Sequence, residues 1–160
     1  MMQKADHERF MHAAIREALA AEMGGNPPFG AVLVRKGRVI ASGRNTKTTT
    51  GRRIGHAEIQ ALWELRDVGR AARAETTLYA TVEPCAMCLG AALFTGLGRI
   101  VYGTPDPLGG AVAMFSAHPV YGAWLPEVVG GVLKAECEAL RLRAMEQAEG
   151  WTETNGGRET

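Results

Sequence analysis

TTLYATVEPCAMCLGAALFTG, residues 76–96, joins a β-branched, aromatic run to a helical one through a proline and two cysteines. TTLYATV has the composition of a strand, because branched and aromatic side chains pack well on a pleated surface. CAMCLGAALFTG reads as a helix. Pro84 suits a helix start, where a missing N–H costs little. A strand feeding a helix is the repeating unit of layered α/β folds. Cys85 and Cys88, at i and i+3, place their sulfurs on one face of the helix's first turn. Partial positive charge at a helix N-terminus favours thiolate over thiol there.

The rest of the chain extends the same alternation. Asp6 is positioned to cap a first helix running to about residue 22, with Phe10, Met11, Ala14, Ile15, Ala18 and Leu19 as its apolar stripe. GGNPPFG ends that helix, and AVLVRKGRVIASG predicts a β-hairpin turning at Lys36-Gly37. A polar loop spans Asn45 to Gly55. HAEIQALWELRDVG has helical spacing, with Ile59, Leu62 and Leu65 on one side. RIVYG predicts a short strand, and LPEVVGGV holds a last one after a Pro/Gly-rich stretch. Residues 133–147 predict a final helix with Leu133, Cys137, Leu140 and Ala144 on one face. Strands alternating with helices give an α/β sandwich with helices on both faces of one sheet. No repeat or long linker divides the chain, so 1–148 reads as one domain and 149–160 as a polar tail. Trp151 in that tail is either a disordered leftover or an aromatic lid over a pocket.

Why does the turn at 82–90 carry two thiols? A disulfide, a metal site and two core residues are the choices. The 160 residues suffice for one stable core. No apolar run approaches the roughly 18 residues of a membrane span, and the opening MMQKADHERFMHAAIREALAAE lacks the apolar stretch of a signal peptide. The expectation is a cytoplasmic protein with no membrane partner, in a compartment where thiols stay reduced. Three cysteines also cannot all pair within the chain. Metal binding therefore outranks a disulfide. The net charge of +1 excludes a strong overall electrostatic footprint for nucleic acid, and the short basic stretch TKTTTGRRIG reads as a solvated loop.

Two thiolates are half of a tetrahedral zinc site. The histidines are His7, His12, His56 and His118. His56 stands out because it opens the second helix, at another loop–helix junction, and two neighbouring helices can aim their N-termini at one spot. His56, Cys85 and Cys88 would then be three ligands, leaving the fourth position for water, as in catalytic zinc sites. Zinc lowers the pKa of such a water to about 7. Glu58, two residues on, can take the water's proton and deliver it to a leaving amine. The set fits hydrolytic removal of ammonia from an amidine-like carbon, and equally other zinc hydrolyses.

With HAE at 56–58 and PCAMC at 84–88, the chain resembles the zinc-dependent cytidine deaminase-like superfamily, whose nucleobase deaminases carry H-x-E…P-C-x-x-C. The resemblance extends from PPFGAVLV at 27–34 through GRIVYG at 98–103 to GVLKAECEAL at 131–140. It implies a three-layer α/β/α sandwich around a five-stranded mixed sheet, one Zn²⁺ per chain and a homodimer. It implies that His56, Cys85 and Cys88 hold zinc and that Glu58 shuttles the proton. It implies that Asn45 hydrogen-bonds the base or sugar and that the Ala57 N–H meets a ring substituent. The Glu83 carbonyl would face the departing amine, Phe29 would wall the pocket, and Asp106 would lie near the substrate.

The remaining candidates read more simply. Cys137 belongs to the core, His7 and His12 to an exposed helix face, and His118 to a loop. Asp106 and Asn45 would also serve as ordinary turn and cap residues. PDPLGGA, HP and GVLKAECEAL look like the bacterial tRNA adenosine deaminase, but the C-terminal stretch is poor in the Lys and Arg that phosphate contacts use. Phe29 in PPFG and Trp151 look more like free-base enzymes. The reading that follows is a hydrolytic deaminase of a small nucleobase or nucleoside, guanine, cytosine or a related ring. The alternatives are a tRNA-specific adenosine deaminase acting on the anticodon loop to make wobble inosine, and a non-catalytic zinc-stabilised binding module.

Overall fold

The computed structural model describes residues 3–65 and 69–154, with 149–154 as backbone only. Its elements are α1 (Lys4–Met23), β1 (Gly30–Arg35), β2 (Arg38–Arg44), α2 (Lys47–Thr50), α3 (Ala57–Trp63), α4 (Arg70–Ala74), β3 (Thr76–Val82), α5 (Ala86–Thr95), β4 (Arg99–Thr104), α6 (Val112–Ala117), α7 (Tyr121–Trp124), β5 (Glu127–Gly130) and α8 (Lys134–Thr154).

One five-stranded mixed sheet runs in the order β2-β1-β3-β4-β5. β1 pairs antiparallel with β2 and β3, while β3, β4 and β5 are parallel. β1 and β3 are buried on both faces, which is why GAVLVR and TTLYATV lack polar alternation. Alternate residues serve opposite layers. Ala31, Leu33, Leu78, Ala80 and Ile100 pack under α3 and α5. Val32, Val34, Tyr79 and Val101 pack under α1 and α8. Each fully buried Leu or Ile contributes about 1.5–3 kcal/mol relative to exposure. The three-layer α/β/α expectation is met.

The hairpin turns at Lys36 and Gly37, with φ of 50° and 73°. Two positive angles in a two-residue loop match the right-handed twist of the flanking strands.

Several local expectations change. Gln3, not Asp6, precedes the first helical turn; Asp6 Oδ2 accepts the Gln3 N–H at 3.3 Å from within the helix. Leu19 is exposed, and Ala13 and Ala21 take its place in the core. The second helix is shorter than its periodicity suggests: α3 ends at Trp63 and buries Ala57, Glu58 and Ala61, with Leu62 and Leu65 only partly covered. The polar loop and the Pro/Gly-rich stretch contain α2, α6 and α7, and α4 falls where the sequence assigns no element. Cys137, Leu140 and Ala144 are buried on α8 as expected. The backbone of α8 continues to Thr154, and the Trp151 side chain lies outside the described residues.

Candidate metal centre and its pocket

Register brings the site's parts to one end of the sheet. Ala31 faces Ala80 and Gly30 faces Arg44, so the residues before β1, after β2 and after β3 emerge side by side. The Asn45 N–H donates to the Phe29 carbonyl at 3.0 Å, closing that edge. α3 and α5 lie on the same face of the sheet. His56 is the N-cap of α3 and Cys85 the N-cap of α5, both with extended backbone. The two helices therefore start beside each other, although 29 residues separate their caps.

His56 Nδ1 lies 3.7 Å from Cys85 Sγ and 3.6 Å from Cys88 Sγ. All three donor atoms lie within 4.8 Å of one another. A tetrahedral ion at about 2.05 Å from nitrogen and about 2.3 Å from sulfur spans an N···S distance of about 3.6 Å. The observed spacing and the borderline-soft N/S₂ donor set fit zinc. All three cysteines are free.

The electrostatics agree with this use. Hydrogen bonds from Cys88 and His56 pull the Cys85 thiol down to about 3 against the cost of partial burial, so it is thiolate at neutral pH. Cys88 moves the other way, as the proton partner of Cys85 and a buried group. The imidazole of His56 is raised, chiefly by Cys85. Glu58 is 5% exposed, and burial pushes its carboxyl above the usual carboxylate range. A carboxyl with weakened acidity is suited to passing protons near neutral pH.

A cleft of about 150 Å³ opens over this centre, lined by Pro27, Phe29, Asn45, Lys47, His56, Glu58, Val82, Glu83, Cys85 and Asp106. The sequence-predicted Phe29, Asn45, Glu58, Glu83 and Asp106 are thus brought together. Ala57 is buried at the start of α3 and is not a lining residue. Asn45, 3% exposed, accepts the Lys47 N–H through Oδ1 at 2.9 Å, and Asp106 Oδ1 accepts the Leu108 N–H at 3.1 Å. Both residues therefore shape turns and face the cleft.

Glu83 holds the far wall. Its carboxylate accepts the N–H of Asp106 at 3.2 Å and of Val112 at 3.1 Å, and the Ala111 N–H donates to the Pro84 carbonyl at 3.1 Å. This ties the 106–112 loop to the end of β3. The sequence reading missed that role, and it missed Lys47 as a lining residue. The lack of any acid between Asn45 and Ala57 was the available signal for Lys47.

The other histidines lie elsewhere. His7 is half-buried and hydrogen-bonds the Tyr79 hydroxyl at 2.9 Å, which corrects the exposed reading. His12 is exposed, with its Nδ1 3.8 Å from a Glu136 carboxylate oxygen. His118 stacks on Tyr121 and accepts the N–H of Val120 and Tyr121, away from the cleft.

A buried carboxyl beside a His/Cys/Cys cluster, at one end of a mixed sheet between helix layers, defines a zinc-dependent hydrolase of the deaminase type. The family model for the cytidine and deoxycytidylate deaminase zinc-binding region matches residues 4–104. The tRNA-specific adenosine deaminase of Bacillus subtilis is 40% identical over 133 residues, covering 81% of this chain and 83% of that protein. A solved structure from studies of A-to-I editing by tRNA:A34 deaminases at the wobble position aligns with a TM-score of 0.71 at 33% identity. The match covers 82% of this chain and 98% of that one. The guanine deaminase of Nitrosomonas europaea aligns with a TM-score of 0.69 at 24% identity, over 86% and 84% of the two chains, a likeness of fold. The chain belongs to the cytidine and deoxycytidylate deaminase zinc-binding family. It is a hydrolytic deaminase acting on a C–N bond of a nucleobase or nucleoside, with zinc as cofactor. Among the described residues no helix is long and apolar enough to cross a membrane.

Proposed function

We propose that this protein is a tRNA-specific adenosine deaminase that converts the wobble adenosine of an anticodon loop to inosine. The observation that carries this reading is the identity with a tRNA-specific adenosine deaminase along most of both chains. The likeness to guanine deaminases reaches only the fold. The sequence reading held this substrate as its alternative and favoured a small base or nucleoside. The broader description, deaminase of a nucleobase or nucleoside, covers both.

In this mechanism His56, Cys85 and Cys88 hold the zinc ion. When bound, zinc supplies the Lewis acidity that makes water nucleophilic near neutral pH. Glu58 receives the proton released by that water, passes it to the ring nitrogen beside the amine-bearing carbon, and assists departure of ammonia. One water is consumed, one ammonia leaves, and the C–NH₂ bond becomes C=O. Asn45 orients the base or ribose, Phe29 walls the base, and Asp106 faces it across the cleft. Glu83, in the cleft wall, turns its carbonyl to the departing amine, whereas the buried Ala57 takes no part in lining the cleft. The protein acts in the cytoplasm as a homodimer. Supporting association is an apolar face on which Phe94, 70% exposed, and Trp124, 58% exposed, meet edge-on at 6.3 Å.

The deciding experiment incubates zinc-loaded protein with an anticodon stem-loop carrying adenosine at the wobble position. Inosine is read by nuclease digestion and mass spectrometry. Ammonia release from guanine, cytosine, cytidine and adenosine is assayed in parallel. Inosine in the RNA, with little release from the small molecules, is the expected result. Guanine or cytosine turnover without inosine would overturn the reading.

A further inference from the structure

We infer that the segment joining β2 to α3 is a phosphate-binding rim, through which the cleft receives a base still attached to a nucleic-acid strand. The inference rests on the proposed substrate for the kind of strand, but its observations are separate. Lys47, Arg52 and Arg53 are exposed, and Lys47 also lines the cleft beside Asn45, His56 and Glu58. None of the three makes an ion pair with a carboxylate among the described residues. Arg44, just before them, is instead committed to Glu17 at 2.9 Å. No Asp or Glu occurs from Asn45 to Ala57. The segment thus carries three positive charges without an ion pair among the described residues, one of them, Lys47, in the cleft wall itself and the other two exposed five and six residues further on, in a chain whose net charge is only +1.

The platform under these charges is built. Asn26 is 5% exposed, and its Oδ1 accepts the N–H of Thr48 and of Thr49, each at 3.0 Å. Its Nδ2 donates to Thr49 Oγ1 at 3.1 Å. The Thr46 N–H donates to the Gly55 carbonyl at 2.9 Å, pinching the segment shut at its base. The Thr50 hydroxyl donates to the Thr46 carbonyl at 2.7 Å. A buried amide from the α1–β1 connection therefore fixes the backbone that carries the cations.

The charges have a chemical meaning. A free base brings no anion to meet them. A nucleotide whose base enters the cleft brings its own phosphate to the rim, where Lys47 stands, and a strand brings neighbouring phosphates along the surface toward Arg52 and Arg53. Asp106 stands among the other lining residues, so the backbone path is favoured on the side of the cations. Phosphate contacts carry a measurable signature, because each neutralised phosphate releases counterions.

The test is fluorescence anisotropy of a labelled anticodon stem-loop with the zinc-loaded full chain, from about 50 to about 200 mM salt. Lys47→Ala and the double variant Arg52→Ala/Arg53→Ala are compared with Arg38→Ala. Arg38 is an exposed cation at the far turn of the β1–β2 hairpin, about 20 Å along the strand from the cleft. The slope of log K against log salt is expected to fall by roughly 0.7–0.9 for each rim cation removed, and to stay unchanged for Arg38→Ala. Equal losses in all variants, or no loss in the rim variants, would overturn the inference. Competition by adenosine 5′-monophosphate as strong as that by the RNA would also overturn it, because the rim would then serve mononucleotides. Rim-dependent RNA binding without inosine would keep the rim and remove the proposed reaction. Inosine formation with unchanged slopes would do the reverse.

Discussion

Gly43→Ala should damage the site without touching a lining residue. Gly43 lies on β2 beneath α3, the helix whose N-terminus carries His56 and Glu58. A Cβ built there stands 2.1 Å from the Ala57 carbonyl oxygen and 2.5 Å from the Ala61 nitrogen. The first gap is about 0.9 Å short of the 3.0 Å below which real contacts essentially never fall. Both neighbours are helix backbone and cannot swing aside, so α3 must lift. Overpacking of this kind costs about 1–3 kcal/mol, or a Tm loss of about 2–12 °C for a chain of this size. The same lift takes His56 away from sulfurs now 3.6 and 3.7 Å off, and such sites tolerate displacements of only about 0.5 Å. A 1 Å misplacement can cost about 100-fold in turnover. The assay combines a thermal melt, zinc content after gel filtration and deamination rate. Gly90→Ala is the control, because its Cβ meets only Phe115 Cζ at 3.7 Å; it should be neutral or stabilising by up to about 1 kcal/mol. An unchanged melt, zinc content and rate in Gly43→Ala would refute the claim that this close approach sets the position of His56.

Other consequences follow from named contacts. Glu58→Gln keeps zinc and should slow turnover by about 10²–10⁴-fold; wild-type rates would remove Glu58 from proton transfer. Glu83→Ala takes away two hydrogen bonds to a charged acceptor, each worth roughly 1.5–3 kcal/mol. Amide exchange at Asp106 and Val112 should accelerate and KM should rise, and unaltered exchange would count against the wall-holding role. In zinc-free protein iodoacetamide should modify Cys85 first, because its thiol is held at about 3 while burial pushes Cys137 up to about 12. Zinc should protect it, and peptide mass spectrometry showing Cys137 modified first would contradict this. Glu138 is held at about 2 by two hydrogen bonds from Arg141 and one from Thr104. Its folded value lies below the ordinary 4.5, so its stabilisation is present above about 4.5 and is lost as pH falls toward 2. The Tm gap between wild type and Glu138→Gln should therefore be open near neutral pH and close across that window; a gap independent of pH would contradict it.

The sequence by itself determined the elements whose signals are local. β3 and α5 were legible because composition and periodicity change abruptly at Pro84. The hairpin was legible because Lys36-Gly37 is flanked by two apolar strands, and Cys137 was assigned to the core by its helical spacing. The candidate metal ligands His56, Cys85 and Cys88, and Glu58 beside them, were legible because they carry chemistry at recognisable intervals. The short helices α4, α6 and α7 were not, since a few residues give too little periodicity to register. The Ile59, Leu62 and Leu65 stripe was only half the story: β2 offers α3 a glycine, so the small Ala57 and Ala61 take the fully buried face while Leu62 and Leu65 pack against the core partly covered.

Only the tertiary structure decided what meets at the cleft. Strand register places Phe29, Asn45 and Val82 at one end of the sheet, and packing on a common face starts α3 and α5 side by side. Lys47 then becomes part of the cleft wall, while His118, read from the sequence as a loop residue, stacks on Tyr121. Sequence spacing dictates which side chains a helix or strand presents. Which of those presentations converge depends on contacts between residues far apart in the chain, and those are fixed only once the layers close.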